Sequence, residues 1–223
     1  MRIGELLGVG RSADVYAIGG GRVLRRYRYD LDASRESAVM VYVAAHGYPV
    51  PEVFPGEGRA TDLVMGLVRG PTLLQAFTEG KADAGEVGRI LAGLLRRLHE
   101  IPPMEPGDPG DRVLHLDLHP DNVMLAPQGP VVIDWANSRS GPPALDCALS
   151  ALIIAQVAVD EELGRPEEAL AALAALVAEL GDDLDVGDPL DEAKAIRDAN
   201  RTLSDREHGL LDEAVALVRE LAS

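Results

Sequence analysis

Between His115 and Trp135 the chain reads HLDLHPDN, the apolar triplet VML, the turn segment APQGP and then VVIDW. No other stretch constrains the fold as much. His119, Pro120 and Asp121 call for a tight loop, and two apolar segments flanking a Gly/Pro turn call for a β-hairpin. Such a hairpin brings Asn122, where the outgoing strand begins, beside Asp134, where the return strand ends. Asp117 lies just ahead in the loop. Phosphoryl transfer passes through a loose transition state, so a protein that catalyses it mainly aligns the acceptor hydroxyl and neutralises phosphate charge. Asp117 is the candidate to accept or orient the acceptor's proton. Asn122 offers a neutral oxygen ligand to magnesium and Asp134 a charged one. The H-x-D-x-x-x-x-N spacing alone arises by chance in chains of this length. The apolar strand ending in Asp134 is what makes the block specific.

Segments before this block have strand character, and those after it are mostly helical. IGELLGVG, ADVYAI and RVLRRYR, the last two separated by Gly19, Gly20 and Gly21, predict an antiparallel meander. ASRESAVMVYVAAHG places apolar residues at helical spacing, with Gly47 set to end the helix, and the proline-bounded PVPEVF follows. LVMGLV is a further strand that leaves through Gly70-Pro71. A boundary there gives an N-terminal lobe over residues 1–68 and a C-terminal lobe over 69–223. In the second lobe Asp83 and Glu86 open a helix over AGEVGRILAGLLRRLHEI, which Pro102-Pro103 terminates. After Pro143 helices are predicted over ALDCALSALIIAQVAV, PEEALAALAALVAEL, a short segment near 189–199, and SDREHGLLDEAVALVREL, with Ser204 and Glu207 as a capping box. The fold class is α+β, a small antiparallel sheet lobe with one helix joined to a mainly helical lobe.

Composition excludes several functions. With 223 residues, 47% apolar and 26% charged, the chain can bury a sizeable core and does not resemble a disordered one. No apolar run approaches the roughly 18 residues that span a bilayer, and MRIGELLGVG lacks a signal peptide's basic start, so a cytoplasmic protein is expected. A net charge of −16 repels nucleic acid phosphates and anionic membranes, so neither is expected as a partner. A polycationic ligand is compatible with that charge, and solubility accounts for it equally well. The single cysteine, Cys147, can form neither an internal disulfide nor a cysteine zinc site and reads as a buried spectator thiol.

LLGVGRSADVYAI resembles a phosphate-binding loop in its own right. Gly8 and Gly10 let the backbone approach phosphates, Ser12 lies in the same loop, and Val15 would cover an adenine ring. A plain β-turn would also explain two glycines, but the position ahead of the catalytic block favours nucleotide binding.

In these ordered motifs the chain resembles the aminoglycoside phosphotransferase-like family, part of the wider kinase-like fold that includes choline and homoserine kinases. GVGRSADVYA is similar to the family's nucleotide loop, SRESAVMVYVAAHGYPVPEVF to its helix and following strand, HLDLHPDN to its catalytic loop and IDW to its metal-binding strand end. GPPALD at 141–146 is similar to its G-x-P-x-x-D element. The resemblance implies a two-lobed protein-kinase-like fold, ATP and Mg2+ as cofactors, a catalytic Asp117, and magnesium held by Asn122 and Asp134. It also implies that His115 and Asp146 support the catalytic loop internally, and it gives no catalytic role to His99 or His119.

One departure stands out. The family places a lysine on the third strand, paired with a glutamate on the helix, yet the only lysines here are Lys81 and Lys194. Arg25 occupies the equivalent position in RVLRRYR, with Glu36 as the matching partner and Arg26 on the opposite face of a regular strand. Arginine keeps the charge and offers phosphate a planar fork.

The resemblance implies a small-molecule hydroxyl acceptor bound by the helical lobe, an aminoglycoside or other amine-bearing molecule met by acidic side chains. Antibiotic resistance, self-protection and ordinary metabolism all stay open. The acidic run Asp182, Asp183, Asp185, Asp188, Asp191 and Glu192 is read as a solvated loop, with a pocket-facing role as the alternative. The short helical lobe is compatible with an open pocket, a small acceptor, or completion by a partner or second copy. An ATP-binding regulator with little transfer activity is the second reading, kept open by Arg25 and opposed by intact Asp117, Asn122 and Asp134. A protein kinase is disfavoured, because only residues 135–140 separate Asp134 from Gly141 and neither D-F-G nor A-P-E occurs.

Overall fold

The computed structural model describes residues 3–28 and 32–223. Strands β1 (Leu6–Val9), β2 (Ala13–Gly19), β3 (Arg22–Tyr27) and β4 (Asp62–Gly66) form one antiparallel sheet in sequence order. Gly19, Gly20 and Gly21 all have positive φ, and this permits the tight β2–β3 connection. The register lines up Gly8, Val15, Arg25 and Leu63 in one row and Asp14, Arg26 and Asp62 in the next. Residues in one row share a face, so Arg25 and Arg26 point to opposite sides. Arg26 is taken up by Asp62 at 2.7 and 2.8 Å.

Helix α1 (Ser34–Ala45) buries Glu36, Val39, Met40 and Val43 and stops at Gly47, whose φ of 76° reverses the chain. The strand expected over PVPEVF is reduced to a bridge between Val53 and Met65. Prolines 49, 51 and 55 have no N–H to give a ladder, which leaves the flanking bonds from Phe54 N–H to Val64 O and from Gly66 N–H to Glu52 O.

Helix α2 (Leu73–Thr78) escapes sequence periodicity because it has only six residues; a Thr72–Gln75 capping box starts it. Helix α3 (Ala84–Leu98) begins where Asp83 Oδ1 accepts the Glu86 N–H at 2.8 Å, and it ends ahead of the paired prolines. Two short ladders follow, β5 (Arg112–Leu114) with β8 (Arg139–Gly141), and β6 (Val123–Ala126) with β7 (Gly129–Val132).

The rest is helical: α4 (Pro143–Val159), α5 (Pro166–Leu180), α6 (Asp188–Asp198), α7 (Asp205–Gly209) and α8 (Leu211–Leu221). Every residue of α4 from Leu145 to Gln156 is buried, and α5, α6 and α8 pack around it. A helix apolar on all sides belongs in such a place. The single helix expected over SDREHGLLDEAVALVREL is instead two, α7 and α8, meeting at Leu210. The break falls at Gly209, a residue that costs a helix interior about 1 kcal/mol, while the Ser204–Glu207 box caps α7. Cys147 is buried in α4, and burial pushes its thiol up to about 12. Among the described residues no helix is long and apolar enough to cross a membrane.

Candidate active site

The loop after β5 is held by a carboxylate beneath it. Asp146, in the first turn of α4, accepts the main-chain N–H of His115 at 2.9 Å and of Leu116 at 2.7 Å, and His99 Nε2 lies 3.1 Å from the same side chain. Burial opposes the charge on Asp146, but His99 and these donors outweigh it and lower its pKa. Leu116 has φ 61°, a left-handed conformation that costs a leucine about 1–2 kcal/mol. The two N–H bonds to Asp146 compensate for that strain, and the loop then brings Asp117 to the cleft. The His115 ring is fully buried edge-on to Trp135, with Nε2 3.1 Å from the Ile133 carbonyl and Nδ1 without a partner. Burial lowers its pKa despite Asp146, which keeps the ring neutral.

Asn122 closes a single 3-10 turn, Pro120–Asn122, and its carbonyl accepts the Ile133 N–H at 3.0 Å. That bond extends the β6–β7 ladder by one step and sets Asp134 next to Asn122. Asn122 Nδ2 donates to the Asp117 carbonyl at 2.9 Å and lies 3.1 Å from His119 Nε2. Its Oδ1 accepts no bond from a described residue. Asp117 is partly buried, with Asn137 Nδ2 at 3.4 Å from Oδ2 and His119 Nε2 at 4.0 Å from Oδ1. Burial raises its pKa although His119 pulls the other way.

Arg25 reaches this cluster from β3. Its Nη1 donates to Glu36 Oε1 at 2.9 Å and its Nη2 to Asp134 Oδ1 at 2.7 Å. Glu36 also accepts from Tyr27 Oη at 2.5 Å and from the Trp135 N–H at 3.0 Å, so one buried carboxylate ties β3, α1 and the end of the hairpin together. Burial by itself would lower the Arg25 pKa, but Asp134 and Glu36 raise it above the ordinary arginine value. Glu36 is raised by burial even against Arg25. Asp134 takes φ 65°, a second left-handed non-glycine residue beside the first. Strain of this kind collects where surrounding structure fixes a functional geometry.

These residues share one cleft of about 1580 Å³. Gly8, Gly10, Ser12 and Val15 line it from the sheet, together with Arg25, Asp117, Asn122 and Asp134. Gly10 is close to the Ala13 carbonyl, 3.1 Å from where a Cβ would sit, whereas Gly8 has open space around it. The acidic run lies outside the cleft and is exposed; Asp183, Asp191 and Glu192 pair there with Arg96, Arg219 and Arg139.

Arg11 and Arg197 are not among the site residues expected from the sequence, yet both line the cleft. Arg11 spans from the glycine loop to the start of α7, donating to Thr202 O at 3.1 Å and to Glu207 Oε1 at 2.8 Å. Arg197 of α6 donates through Nε to Gln156 Oε1 at 2.8 Å. Nothing in the sequence around Arg197 announces a site, whereas Arg11 sits inside the GVGRSADVYA loop.

Among the described residues no group of three or more His, Cys, Asp or Glu side chains could hold a metal unaided. Magnesium does not need one, since it takes one or two protein oxygens and completes its shell with phosphates and water. Asn122 Oδ1 and the second oxygen of Asp134 fit that requirement.

A four-stranded sheet packed on one helix, a strained catalytic loop and a helical second lobe define a kinase-like fold. The chain belongs to the phosphotransferase enzyme family, whose model matches residues 4–112 and 106–190. A choline/ethanolamine kinase family protein from Mesorhizobium loti aligns with a TM-score of 0.57 at 16% identity over 99% of this chain and 88% of that one. An aminoglycoside phosphotransferase in complex with AMP-PNP and hygromycin B aligns with a TM-score of 0.55 at 16% identity, covering 97% and 94%. A third, ADP-bound aminoglycoside phosphotransferase has a TM-score of 0.55 at 13% identity, covering 100% and 95%. No curated protein matches the chain.

Proposed function

We propose that the protein transfers the terminal phosphoryl group of Mg-ATP to a hydroxyl of a small molecule. One observation carries this reading: Asp117, Asn122 and the Asp134–Arg25–Glu36 chain converge on a single cleft walled by the glycine loop. Residues 1–68 serve as the nucleotide lobe and residues 69–223 supply the catalytic loop and the acceptor site. Asp117 accepts the acceptor's proton, and Arg25 steadies the phosphates from β3. Gly8, Gly10, Ser12 and Val15 cover the nucleotide, while Asn122 and Asp134 hold magnesium, which supplies charge neutralisation on the phosphates. His115 and Asp146 brace the loop from beneath.

The regulator reading has one observation in its favour. Arg25 occupies an oxygen of Asp134, the carboxylate a metal would use.

The test is ADP release with a panel of aminoglycosides, choline, homoserine and sugars, run beside Asp117→Ala. Turnover that the variant loses while still binding ATP is expected. No turnover above the variant with any acceptor would favour the regulator. Because burial raises the Asp117 pKa and the carboxylate form accepts the proton, the acid limb of the rate profile should lie above 3.8, with activity falling as pH drops through it.

A further inference from the structure

The helical end of the cleft is lined by four carboxylates, and each already has an arginine. Glu207 pairs with Arg11 at 2.8 Å, Glu168 with Arg165 at 3.0 Å, and both Asp160 and Glu162 with Arg206 at 2.7 Å. The cation left over is Arg197. It is only partly exposed, its one side-chain hydrogen bond goes to the neutral Gln156, and it makes no ion pair with any described residue. A guanidinium cannot shed its charge, and removing an uncompensated charge from water is unfavourable. Arg197 and the Asp117 carboxylate are close enough that each influences the other's ionisation. Glu207 and Arg11, themselves an ion pair lining the same cleft, act on Arg197 in opposite directions.

A cationic amine entering beside Arg197 would find each of the four carboxylates already in an ion pair with one of three arginines and would meet a guanidinium that has no described carboxylate in contact. An oxyanion would supply the missing counter-ion, and the planar guanidinium fork suits a carboxylate or phosphate. Ile154, Val157 and Leu210 give the same end of the cleft an apolar wall.

We infer that the acceptor carries, besides its reacting hydroxyl, a carboxylate or phosphate oxyanion that Arg197 binds, which sets the hydroxyl at Asp117. This rests on the kinase reading above. In the step, the acceptor oxygen bonds to the terminal phosphorus as the bond to the ADP oxygen breaks, and the hydroxyl proton passes to Asp117. ADP and the phosphorylated oxyanion leave.

The experiment uses the full chain with Mg2+ and a non-hydrolysable ATP analogue bound. Calorimetry measures the binding of glycerate, serine and hydroxybutyrate, of glycerol phosphate, of neutral glycerol, and of choline and kanamycin. The wild type, Arg197→Gln and Arg197→Lys are compared, and ADP release with ATP follows for the same set. At least one oxyanion should bind and be phosphorylated in preference to glycerol, choline and kanamycin. Arg197→Gln should weaken that binding and raise its KM by roughly 10- to 100-fold, with partial rescue by lysine. The carboxylate and phosphate arms identify which oxyanion is used. Preferential turnover of choline or kanamycin, or oxyanion binding indifferent to Arg197, would overturn the inference while leaving the kinase reading intact. A uniform fall in kcat with a shifted pH profile and unchanged KM would also overturn it, since Arg197 would then act only on Asp117. Arg197-dependent oxyanion binding with no transfer to any compound would instead overturn the kinase reading and, with it, the acceptor role, leaving Arg197 as an oxyanion site only.

Discussion

Replacing Arg25 with alanine should destabilise the fold as well as impair nucleotide handling. The guanidinium and the Glu36 carboxylate are 9% and 3% exposed, and the guanidinium also serves Asp134. Removing one partner of a buried pair costs about 3–5 kcal/mol, because the other charge is left uncompensated. Against a total stability of about 5–15 kcal/mol that is a large fraction. With a urea slope of about 2 kcal/mol per molar, a loss of about 4 kcal/mol moves the midpoint down by ~2 M. Trp135, the only tryptophan, is fully buried against His115 and Tyr48 and donates its main-chain N–H to Glu36 and its indole N–H to the Val132 carbonyl, so its fluorescence reports the unfolding of this region. The loss should depend on pH in a defined direction. Without Arg25, which now opposes the effect of burial, the Glu36 carboxyl should titrate still further above the ordinary carboxylate range. The penalty is therefore complete above the raised pKa and relieved as pH falls through it, because between that pKa and the lower unfolded one the folded chain binds more protons than the unfolded chain. Adding Glu36→Gln to Arg25→Ala should recover part of the loss by removing the stranded charge. A midpoint within ~0.3 M of wild type at neutral pH, or a loss that acid leaves unchanged, would refute the argument.

Other consequences follow from the helical packing and the cleft. Gly88→Ala would put a Cβ 2.6 Å from the Ala175 carbonyl carbon, where α3 crosses α5. Backbone cannot step aside as a side chain can, so about 1–3 kcal/mol of stability should be lost, read as a lower melting temperature with nucleotide affinity kept. Arg11→Ala removes an exposed ion pair worth at most about 1 kcal/mol. It should leave the melting temperature nearly unchanged while speeding amide exchange in the 8–13 loop, and unchanged exchange would show that the strap is idle. Ser204→Ala should cost about 1 kcal/mol by uncapping α7, measurable by urea titration.

Local grammar made the sheet and the donor side of the cleft legible. Gly19 to Gly21 announce one turn, the Asp83 and Ser204 caps announce two helix starts, and HLDLHPDN through VVIDW is a loop and hairpin whose partners lie close in sequence. The Arg25–Glu36 pair was also within reach, because the resemblance to the family's strand lysine and helix glutamate pointed to these two positions. The added contact from Arg25 to Asp134 was not, since it depends on how the sheet docks on the hairpin. The misjudged elements are those in which local rules compete. Six residues are too few for α2 to display a period, prolines cancel a strand that the apolar residues of PVPEVF suggest, and Gly209 divides a segment whose apolar spacing runs on without interruption.

The acceptor end was illegible for a different reason. Arg11, Gln156, Arg197 and Glu207 come from four separate segments, and only the packing of α4 with α6 and the reach of the glycine loop to α7 bring them together. Net charge does not resolve this end. The acidic surplus of the chain includes an exposed run beside α6 that pairs with arginines outside the cleft. Screening over about 8–10 Å reduces what such exposed charges contribute at a distance. Inside the cleft, what distinguishes one charge from another is whether the protein has already given it a partner. Among the described residues at the helical end, the charge left without one is the guanidinium of Arg197, facing the same space as Asp117.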